Sequence, residues 1–398
     1  MSLAADEVPF AFDELFFSRT DPGGIILSGN SVFTRVSGYS WEELDHKPHK
    51  MVRHPDMLRG VFWLFWDAIR QGKPIGAYVK NRTKDGRYYW VFALATPVDG
   101  GFLSVRFKPS SEIFQIVQRE YAALLLAERD LKPEQSAQLL LARLKELGFA
   151  DYPAFMSAAL AAELAACDIK RGRPADTRLA SCAEIAAAST SLLEQAGAIF
   201  GAYTENAYVS LNFQVQAAQL GEAGAAIGEI SRNYDMISAA IKKNMERFVA
   251  EAGQVVAIVD EGRFLLGATQ LQREMHVYFQ HESASSTADH SQDMALLEKQ
   301  MRRYGELAIE GLRRIAQQAM QFRAEYIDMK RLATGLEVTR IMGKVESARL
   351  NHLNHGLDGL IDELEHLQRA IAGGLKAIDQ LNQRIQRDTD GLILQTAA

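Results

Sequence analysis

The chain has 398 residues, of which 47% are hydrophobic and 24% are charged, and its formal net charge is −6. This composition is typical of globular proteins and excludes wholesale disorder, and the negative net charge argues against non-specific nucleic-acid binding. No apolar run reaches the ~18 residues of a membrane-spanning helix, the N-terminus has no signal-peptide pattern, and two cysteines cannot build a disulfide framework. We therefore expect a cytoplasmic protein of several domains.

The first hundred residues alternate short apolar segments with turn signals. The predicted strands are residues 16–20, 25–28, 75–81, 88–96 and 102–107. The sequence DPGG at residues 21–24 predicts a hairpin turn, a capping-box pattern at residues 40–43 opens a short helix, and residues 58–71 are apolar on one helical face. The order of two strands, short helices and three strands predicts an α+β domain over residues 10–110.

The second part of the chain is predicted to be helical. All ten prolines lie between Pro9 and Pro174, and a long proline-free segment rich in alanine, leucine, glutamine and glutamate is helical by propensity. Residues 111–175 predict a helical connector, and residues 176–398 predict a long all-α bundle or coiled coil. Apolar residues recur there every seven positions in two series, which are Tyr234, Ile241, Phe248 and Val255, and Leu357, Leu364, Ile371, Ile378 and Ile385.

An internal repeat divides the helical region into two hairpin-like copies. Residues 215–219 align with residues 345–349, and paired glycines place the two tips near residues 221 and 356. The polar segment 281–293 joins the copies, and it contains His281, Glu282, Asp289 and His290. Because serine and threonine surround these side chains, we read the segment as a mobile loop, with a metal site as the alternative. We expect the two copies to pack against each other within one chain.

The N-terminal domain resembles a PAS domain in four segments. They are NSVFTRVSGYSWEEL at residues 30–44, PHKMVRHPDM at residues 48–57, VKNR at residues 79–82 and KDGRYYWV at residues 84–91. The first and the last resemble PAS domains in general, whereas the second and third are similar to the flavin-binding PAS domain of bacterial aerotaxis receptors. The resemblance implies a five-stranded sheet with helices cupped over one face and FAD bound between them.

Through this resemblance the candidate cofactor-binding residues are Arg53, His54, Asp56, Trp66 and Asn81. A flavin needs flat apolar walls for its ring, amides for its polar edge and cations for its diphosphate. Trp66 would supply a wall, and Asn81 would supply an amide with one acceptor and two donors. Arg53 and His54 would supply positive charge. Two alternatives stay open, namely haem with His49 or His54 as its axial ligand, and a cofactor-free PAS domain that acts as a scaffold or adaptor.

Both hairpin-like copies resemble the tip of bacterial chemoreceptor signalling domains. In the second copy Glu346 and Arg349 keep opposite charges three residues apart on one helix face. The resemblance implies that this pair binds a chemotaxis histidine kinase, a coupling protein or chemoreceptors, and it allows a homodimer. The sequence has no glycine-rich phosphate loop, nucleophile elbow or zinc-binding helix motif, so we do not expect an enzyme. We expect a sensor of redox state, oxygen or energy, which passes its signal to the helix that starts near Glu112.

Overall fold

The computed structural model describes residues 6–205, 208–285, 289–350 and 356–397. Its strands are β1 (Phe16–Thr20), β2 (Ile26–Gly29), β3 (Ile75–Arg82), β4 (Tyr88–Val98) and β5 (Gly101–Phe107). Its helices are α1 (Ser31–Ser37), α2 (Trp41–Leu44), α3 (Arg59–Arg70), α4 (Glu112–Ala127), α5 (Pro133–Glu146), α6 (Tyr152–Lys170), α7 (Thr177–Glu205), α8 (Tyr208–Gln219), α9 (Ala225–Ser285), α10 (Ser291–Arg349) and α11 (Gly356–Ala397). Short 3₁₀ turns cover His49–Val52 and Gly221–Gly224.

The five strands form one antiparallel sheet in the order β2-β1-β5-β4-β3. A single buried side chain, Asn30, fixes the place where β2 ends and α1 begins. Its Oδ1 accepts hydrogen bonds from the N–H groups of Phe17 and Phe33, and its Nδ2 donates to the carbonyl of Leu15. The predicted fold class, an α+β domain followed by long helices, is confirmed.

The two faces of the sheet carry different side chains, because successive residues of a strand point to opposite faces. On β4, Ala93 and Ala95 point to the face that α3 covers, which we call the inner face. Phe92 points to the opposite, outer face, where its ring contacts those of Tyr78 and Phe107. Small side chains therefore leave space on the inner face, and large ones fill the outer face.

Helices α4 and α6 are joined to the outer face through Glu163, which is completely buried. The hydroxyl of Tyr78 on β3 donates to Glu163 Oε1 at 2.8 Å. The N–H groups of Ser110 and Ser111 donate to Glu163 Oε2 at 2.6 and 3.0 Å, and the side chain of Ser111 caps the first turn of α4. One carboxylate on α6 thus holds a strand and the start of a helix together.

The chain divides into two compact units. The first comprises the residues before Ser181 together with Asp260–Glu310, and the second comprises Ser181–Val259 and Gly311–Ala398. The sequence assigned residues 260–310 to the helical bundle, and the structure packs them with the N-terminal domain. In this first unit Gln300 on α10 donates to the carbonyl of Pro97 on β4 at 3.0 Å.

In the second unit the heptad residues of both predicted series are buried. The rings of Phe248 on α9 and Phe322 on α10 lie 4.6 Å apart, and Asn382 on α11 donates to the carbonyl of Ala319 on α10 at 2.8 Å. On α8, Gln214 donates to Asp235 on α9 at 2.8 Å. The hairpin of α7, α8 and α9 and the hairpin of α10 and α11 therefore contact each other within one chain. The 3₁₀ turn forms the first tip, whereas residues 351–355 of the second tip lie outside the described residues.

The prediction of a mobile loop at residues 281–293 is wrong where the structure describes this segment. Helix α9 continues through Ser285, α10 begins at Ser291, and Glu282, His290 and Asp293 are buried. Glu282 bonds to the start of α1, and Asp293 bonds to β1 and β2, which sequence spacing does not show. The basic segment at residues 170–174, which follows α6, also forms ion pairs with a helix, since Arg171 pairs with Glu274 on α9 at 2.6 Å.

Candidate ligand pocket of the N-terminal domain

A pocket lies between α3 and the inner face of the sheet. It contains about 840 Å³ of empty space, part of which is open to solvent. Its floor is made by small or short side chains of the central strands, including Val79, Ala93 and Ala95. Because these residues cannot reach the helix above them, the hollow is a consequence of the alternation along β3 and β4.

Aromatic side chains form the walls of this pocket. Phe62, Phe65 and Trp66 project from α3, and Phe102 stands opposite them on β5. The Trp66 and Phe102 rings lie 5.9 Å apart in an edge-to-face arrangement. Trp63, which shares the helix, has 38% of its surface exposed and does not line the pocket. Sequence analysis placed Trp66 in the pocket, and the structure brings the side chain there.

The turn between β1 and β2 closes one side of the pocket at Gly24. Its φ of +81° lies in the left-handed region, where a residue with a side chain is strained. A Cβ atom at this position would also lie 3.1 Å from the Trp66 ring. The backbone of the turn therefore favours glycine, and a side chain at this position would also crowd the Trp66 ring.

A polar group of side chains forms the end of the pocket beside β1. Arg106 on β5 is buried, and its Nη2 donates to the hydroxyl of Ser18 on β1 and lies 2.8 Å from His49 Nε2. Its Nε donates to Ser104 at 3.1 Å. Burial and the adjacent positive charge of Arg106 hold the pKa of His49 well below its usual range. His49 is therefore neutral, and its Nε2 accepts the hydrogen bond from the guanidinium.

The guanidinium of Arg106 has an unused donor. Its Nη1 is buried and makes no hydrogen bond with any residue in the described part of the chain, and no carboxylate there forms an ion pair with it. Burial lowers the pKa of Arg106 to about 10, so the side chain still carries its charge at neutral pH. A buried cation without a counter-charge is unfavourable, and it marks a place for an acceptor that the chain itself does not supply.

The candidate residues Asn81 and Arg53 lie together at another part of the pocket. Both line it, and their backbones form an isolated antiparallel bridge. Asn81 is 3% exposed, and its amide makes no hydrogen bond among the residues that the structure describes. The guanidinium of Arg53 lies 3.8 Å from the centre of the Phe62 ring, and Lys50 lines the same region. An amide with free hydrogen-bonding capacity thus stands beside two cations.

The candidates His54 and Asp56 do not line the pocket. The N–H of His54 donates to the carbonyl of Lys80, and its Nδ1 accepts from the N–H of Asp56 at 3.1 Å. The carboxylate of Asp56 pairs with Lys80 at 2.9 Å. These two residues fasten the segment that carries Arg53 to β3, so they hold the pocket wall and do not face its interior.

Sequence reasoning missed Arg106, Lys50 and the serines at the polar end of the pocket. A signal was present, since the alternation along β5 places Arg106 on the same face as Ser104 in a strand that is otherwise apolar. The large and small residues that alternate along β4 also indicate a hollow on one face. Neither pattern indicates that the guanidinium of Arg106 lacks an acidic partner, because the presence of a partner depends on every strand and helix around this side chain.

Glu346 and Arg349 lie in the second unit, far along α10. They form an ion pair at 2.6 Å, with 68% of the Arg349 side chain exposed and 14% of the Glu346 side chain exposed. Within the described ranges, no group of three histidine, cysteine, aspartate or glutamate side chains is arranged to hold a metal ion. Among the same residues, no helix combines the length and the apolar character needed to cross a membrane.

The antiparallel sheet, the helices over its inner face and the pocket between them define a PAS domain. Residues 26–105 match the family model of the PAS fold. The chain is homologous to two signalling proteins. It is 40% identical over 121 residues to the aerotaxis receptor of Escherichia coli, which covers 29% of this chain and 24% of the receptor. It is 33% identical over 104 residues to the biofilm dispersion protein BdlA of Pseudomonas aeruginosa, which covers 25% of each.

The chain therefore spans about a quarter of the length of these two relatives. Solved structures to which part of this chain is similar include the light state of the blue-light photoreceptor Aureochrome1 LOV, at 19% identity and a TM-score of 0.24, covering 26% of this chain and 89% of that one. The LOV domain of the blue-light activated histidine kinase EL346 from Erythrobacter litoralis is 18% identical with a TM-score of 0.21, covering 23% and 90%.

Proposed function

We propose that this chain is a sensor whose PAS domain binds FAD and whose helical region passes the signal to chemotaxis proteins. The observation that carries the proposal is the unpaired Nη1 of Arg106, buried at the end of a pocket with aromatic walls. A flavin ring is flat and apolar over its faces and carries carbonyl and nitrogen acceptors along one edge. Such a ligand would cover Trp66 and give Arg106 and Asn81 the partners that they lack.

Haem is supported less well, because both candidate axial ligands are engaged. The Nε2 of His49 accepts a hydrogen bond from Arg106, and a nitrogen that binds iron needs the same lone pair. His54 does not line the pocket, and its Nδ1 accepts from the N–H of Asp56. A cofactor-free scaffold leaves the buried charge of Arg106 without a counterpart, which is energetically unfavourable.

When bound, FAD would supply a ring that takes up and releases electrons. The side chains of this chain would hold and orient it. Trp66 and Phe102 would exclude water from its faces, Asn81 would bond its polar edge, and Arg53 with Lys50 would stand near its phosphates. Arg106 would keep a positive charge beside the ring, so the redox state of the ring would change its interaction with this guanidinium.

A route from the pocket to the helices exists on β3. On this strand Val79 and Asn81 face the pocket. Tyr78, the residue before Val79, points to the outer face, where its hydroxyl donates to Glu163. Glu163 also holds Ser111, the residue that caps α4. A shift of β3 would therefore move the start of α4, as the sequence led us to expect for the helix beginning near Glu112.

The proposed partners are a chemotaxis histidine kinase, a coupling protein or chemoreceptors, with the pair Glu346 and Arg349 as the contact. What supports this part of the proposal is the homology to an aerotaxis receptor and the second unit built from two helical hairpins. A homodimer is compatible with the same arrangement. A cytoplasmic location is part of the proposal.

The test is the visible absorption of the purified protein before and after the addition of FAD. We expect the spectrum of a bound flavin, and we expect Trp66→Ala and Asn81→Ala to raise the dissociation constant for FAD at least about tenfold, which corresponds to 1.4 kcal/mol of binding free energy. Trp63→Ala is the matched control, because it removes an exposed tryptophan of the same helix, and we expect its occupancy to stay unchanged. A haem spectrum, or a colourless protein that takes up no FAD, would contradict the proposal.

A further inference from the structure

Strand β1 separates the pocket from a second set of contacts. Ser18 and Thr20 point to the inner face and line the pocket. Phe17 and Arg19 alternate with them and point to the outer face, where the ring of Phe17 contacts that of Phe279 on α9 at 4.8 Å. Each side chain on the inner face of β1 is joined by a single peptide unit to a side chain on its outer face. A ligand that orders the pocket-facing side chains therefore also orders those on the outer face.

The end of α9 and the start of α10 are fixed to this strand and to its neighbours by charged side chains. Arg19 Nε donates to Asp293 Oδ1 at 2.6 Å, and the hydroxyl of Ser28 on β2 donates to the other oxygen of the same carboxylate. The N–H of Ser31, at the start of α1, donates to Glu282 at 2.9 Å. We call the two helix ends that make these contacts, residues 279–282 and 290–293, the interhelical turn.

These contacts are buried, so losing one of them would be energetically costly. Asp293 is 2% exposed and His290 is 4% exposed. The ring of His290 stacks on Phe279 at 4.1 Å, and its two nitrogens lie 3.5 Å from Glu282 and 3.6 Å from Asp293. Removing the charge of Asp293 would leave Arg19 without its carboxylate in a site that water does not reach freely.

On the pocket side, Ser18 already receives the guanidinium of Arg106, whose Nη1 is free for a ligand. A ligand bound there would press on Ser18 and Thr20 and restrict the motion of β1. The same restriction would hold Phe17 and Arg19 in the orientation that binds the interhelical turn. Because α9 and α10 both continue from this turn into the second unit, the turn is placed to pass a change on to the helices.

We propose that ligand binding in the PAS pocket and docking of the interhelical turn on β1 are thermodynamically coupled. The docked turn changes the affinity of the pocket for its ligand, and the bound ligand changes the stability of the docked turn. This inference rests on the proposed flavin site and adds its regulation. The coupling is positive, since each event orders the same strand. By linkage, the factor by which the ligand tightens the turn equals the factor by which the docked turn tightens ligand binding, and typical values are about 5-fold to 150-fold.

The experiment measures both sides of this linkage in the full-length chain. Hydrogen exchange of the backbone amides in the last turn of α9 and the first turns of α10 is followed with and without FAD. We expect FAD to slow this exchange about fivefold or more, and we expect Asp293→Asn to raise the dissociation constant for FAD by the same factor. Ser28→Ala removes one bond to the same carboxylate, and it serves as the milder variant if Asp293→Asn does not fold.

The control is Lys299→Ala. Lys299 lies on α10 and pairs with Asp99 in the β4–β5 turn, and the pair is exposed, with 62% and 84% of the two side chains accessible to solvent. We expect it to leave FAD binding unchanged. Equal FAD affinity in the wild type, Asp293→Asn and Ser28→Ala, with exchange at the turn unaffected by FAD, would overturn the coupling while the flavin site stands. Absence of FAD binding in the wild type would overturn both proposals.

Discussion

The two units of the chain use polar side chains in different ways. In the first unit, buried carboxylates such as Glu163 and Asp293 each accept hydrogen bonds from two or more separate elements. In the second unit, the positions at heptad spacing are filled by apolar residues such as Phe248 and Ile378, and ion pairs such as Arg232–Glu229 lie at the surface. Hydrogen bonds are directional and hydrophobic packing is not.

This difference fits a division of labour. A pocket that distinguishes states of a ligand needs strands held within a narrow range of positions, and directional bonds to Glu163 provide that. A helical bundle with a mainly apolar seam has fewer directional bonds to break when its packing changes, although Asn382 does bond across the seam to Ala319. The four predictions below test this comparison, beginning with the change expected to have the largest effect.

Glu163→Ala should destabilise the first unit severely. The substitution leaves the hydroxyl of Tyr78 and the N–H groups of Ser110 and Ser111 buried without an acceptor. Because each unsatisfied buried donor costs about 1–3 kcal/mol, we expect the free energy of unfolding to fall by about 3–5 kcal/mol. Denaturant unfolding measures the loss. Glu163→Gln keeps one accepting oxygen and should lose less, and a loss under about 1 kcal/mol for the alanine variant would contradict the role of this carboxylate.

The two faces of the sheet should respond differently to added volume. A Cβ atom at Gly76 on the outer face would lie 2.8 Å from the Phe92 ring, so Gly76→Ala should lower the free energy of unfolding by about 1–3 kcal/mol. Ala93→Leu adds more atoms on the inner face, but they enter the empty pocket. We expect Ala93→Leu to remove FAD binding and to leave the free energy of unfolding within about 1 kcal/mol of the wild type.

Thermal melts and FAD titrations of the two variants, made side by side, give both quantities. Comparable destabilisation by the two substitutions would show that the inner face is as tightly packed as the outer face. Undiminished FAD binding by Ala93→Leu would place the ligand elsewhere.

The sequence predicted the helices and strands well where the signals lie within a short segment of the chain. The capping box at Ser40, the helix beginning at Glu112 and the heptad series in α9 and α11 all stand as expected, because each depends on residues within a few positions of one another. The resemblance to PAS domains also placed Trp66 and Asn81 at the pocket.

The rest depends on contacts between residues that are distant in the chain. The segment at residues 281–293 has the composition of a loop, yet Asp293 is buried because Arg19 and Ser28, more than 260 residues earlier, bond to it. Its burial therefore cannot be recognised from local composition. In the same way His54 and Arg53 are adjacent in sequence, but backbone pairing with β3 turns only Arg53 toward the pocket.

The ion pair of Asp293 should make the first unit sensitive to acid. Burial opposes ionisation of Asp293, but His290, Ser28 and Arg19 outweigh it, so its pKa lies below the ordinary value for aspartate. A carboxylate with a lowered folded-state pKa contributes stability above its unfolded pKa of about 3.9 and loses it as the pH falls through the folded pKa.

We therefore expect the free energy of unfolding to be larger for the wild type than for Asp293→Asn near neutral pH. This difference should disappear as the pH falls from about 5 to about 2. Denaturant unfolding of the two proteins across this range measures the difference. A gap that stays constant with pH would show that Asp293 acts through shape and hydrogen bonding alone.

The smallest effect on stability should come from the ion pair of Glu346 and Arg349 in the second unit, in which Arg349 is the exposed partner. Arg349 is largely exposed and lies 2.6 Å from Glu346, and exposed ion pairs contribute about 0–1 kcal/mol. The double substitution Glu346→Ala with Arg349→Ala should therefore leave thermal unfolding nearly unchanged. If the pair binds a chemotaxis partner, the same substitution should weaken association with the kinase or its coupling protein, which a pull-down measures. The matched control is Arg331→Ala with Asp328→Ala, since these residues form an ion pair at the same spacing on α10, with 79% and 62% of their side chains exposed. Equal association of both variants with the partner would remove Glu346 and Arg349 as the contact, and strong destabilisation by either would show that the second unit also depends on directional polar bonds.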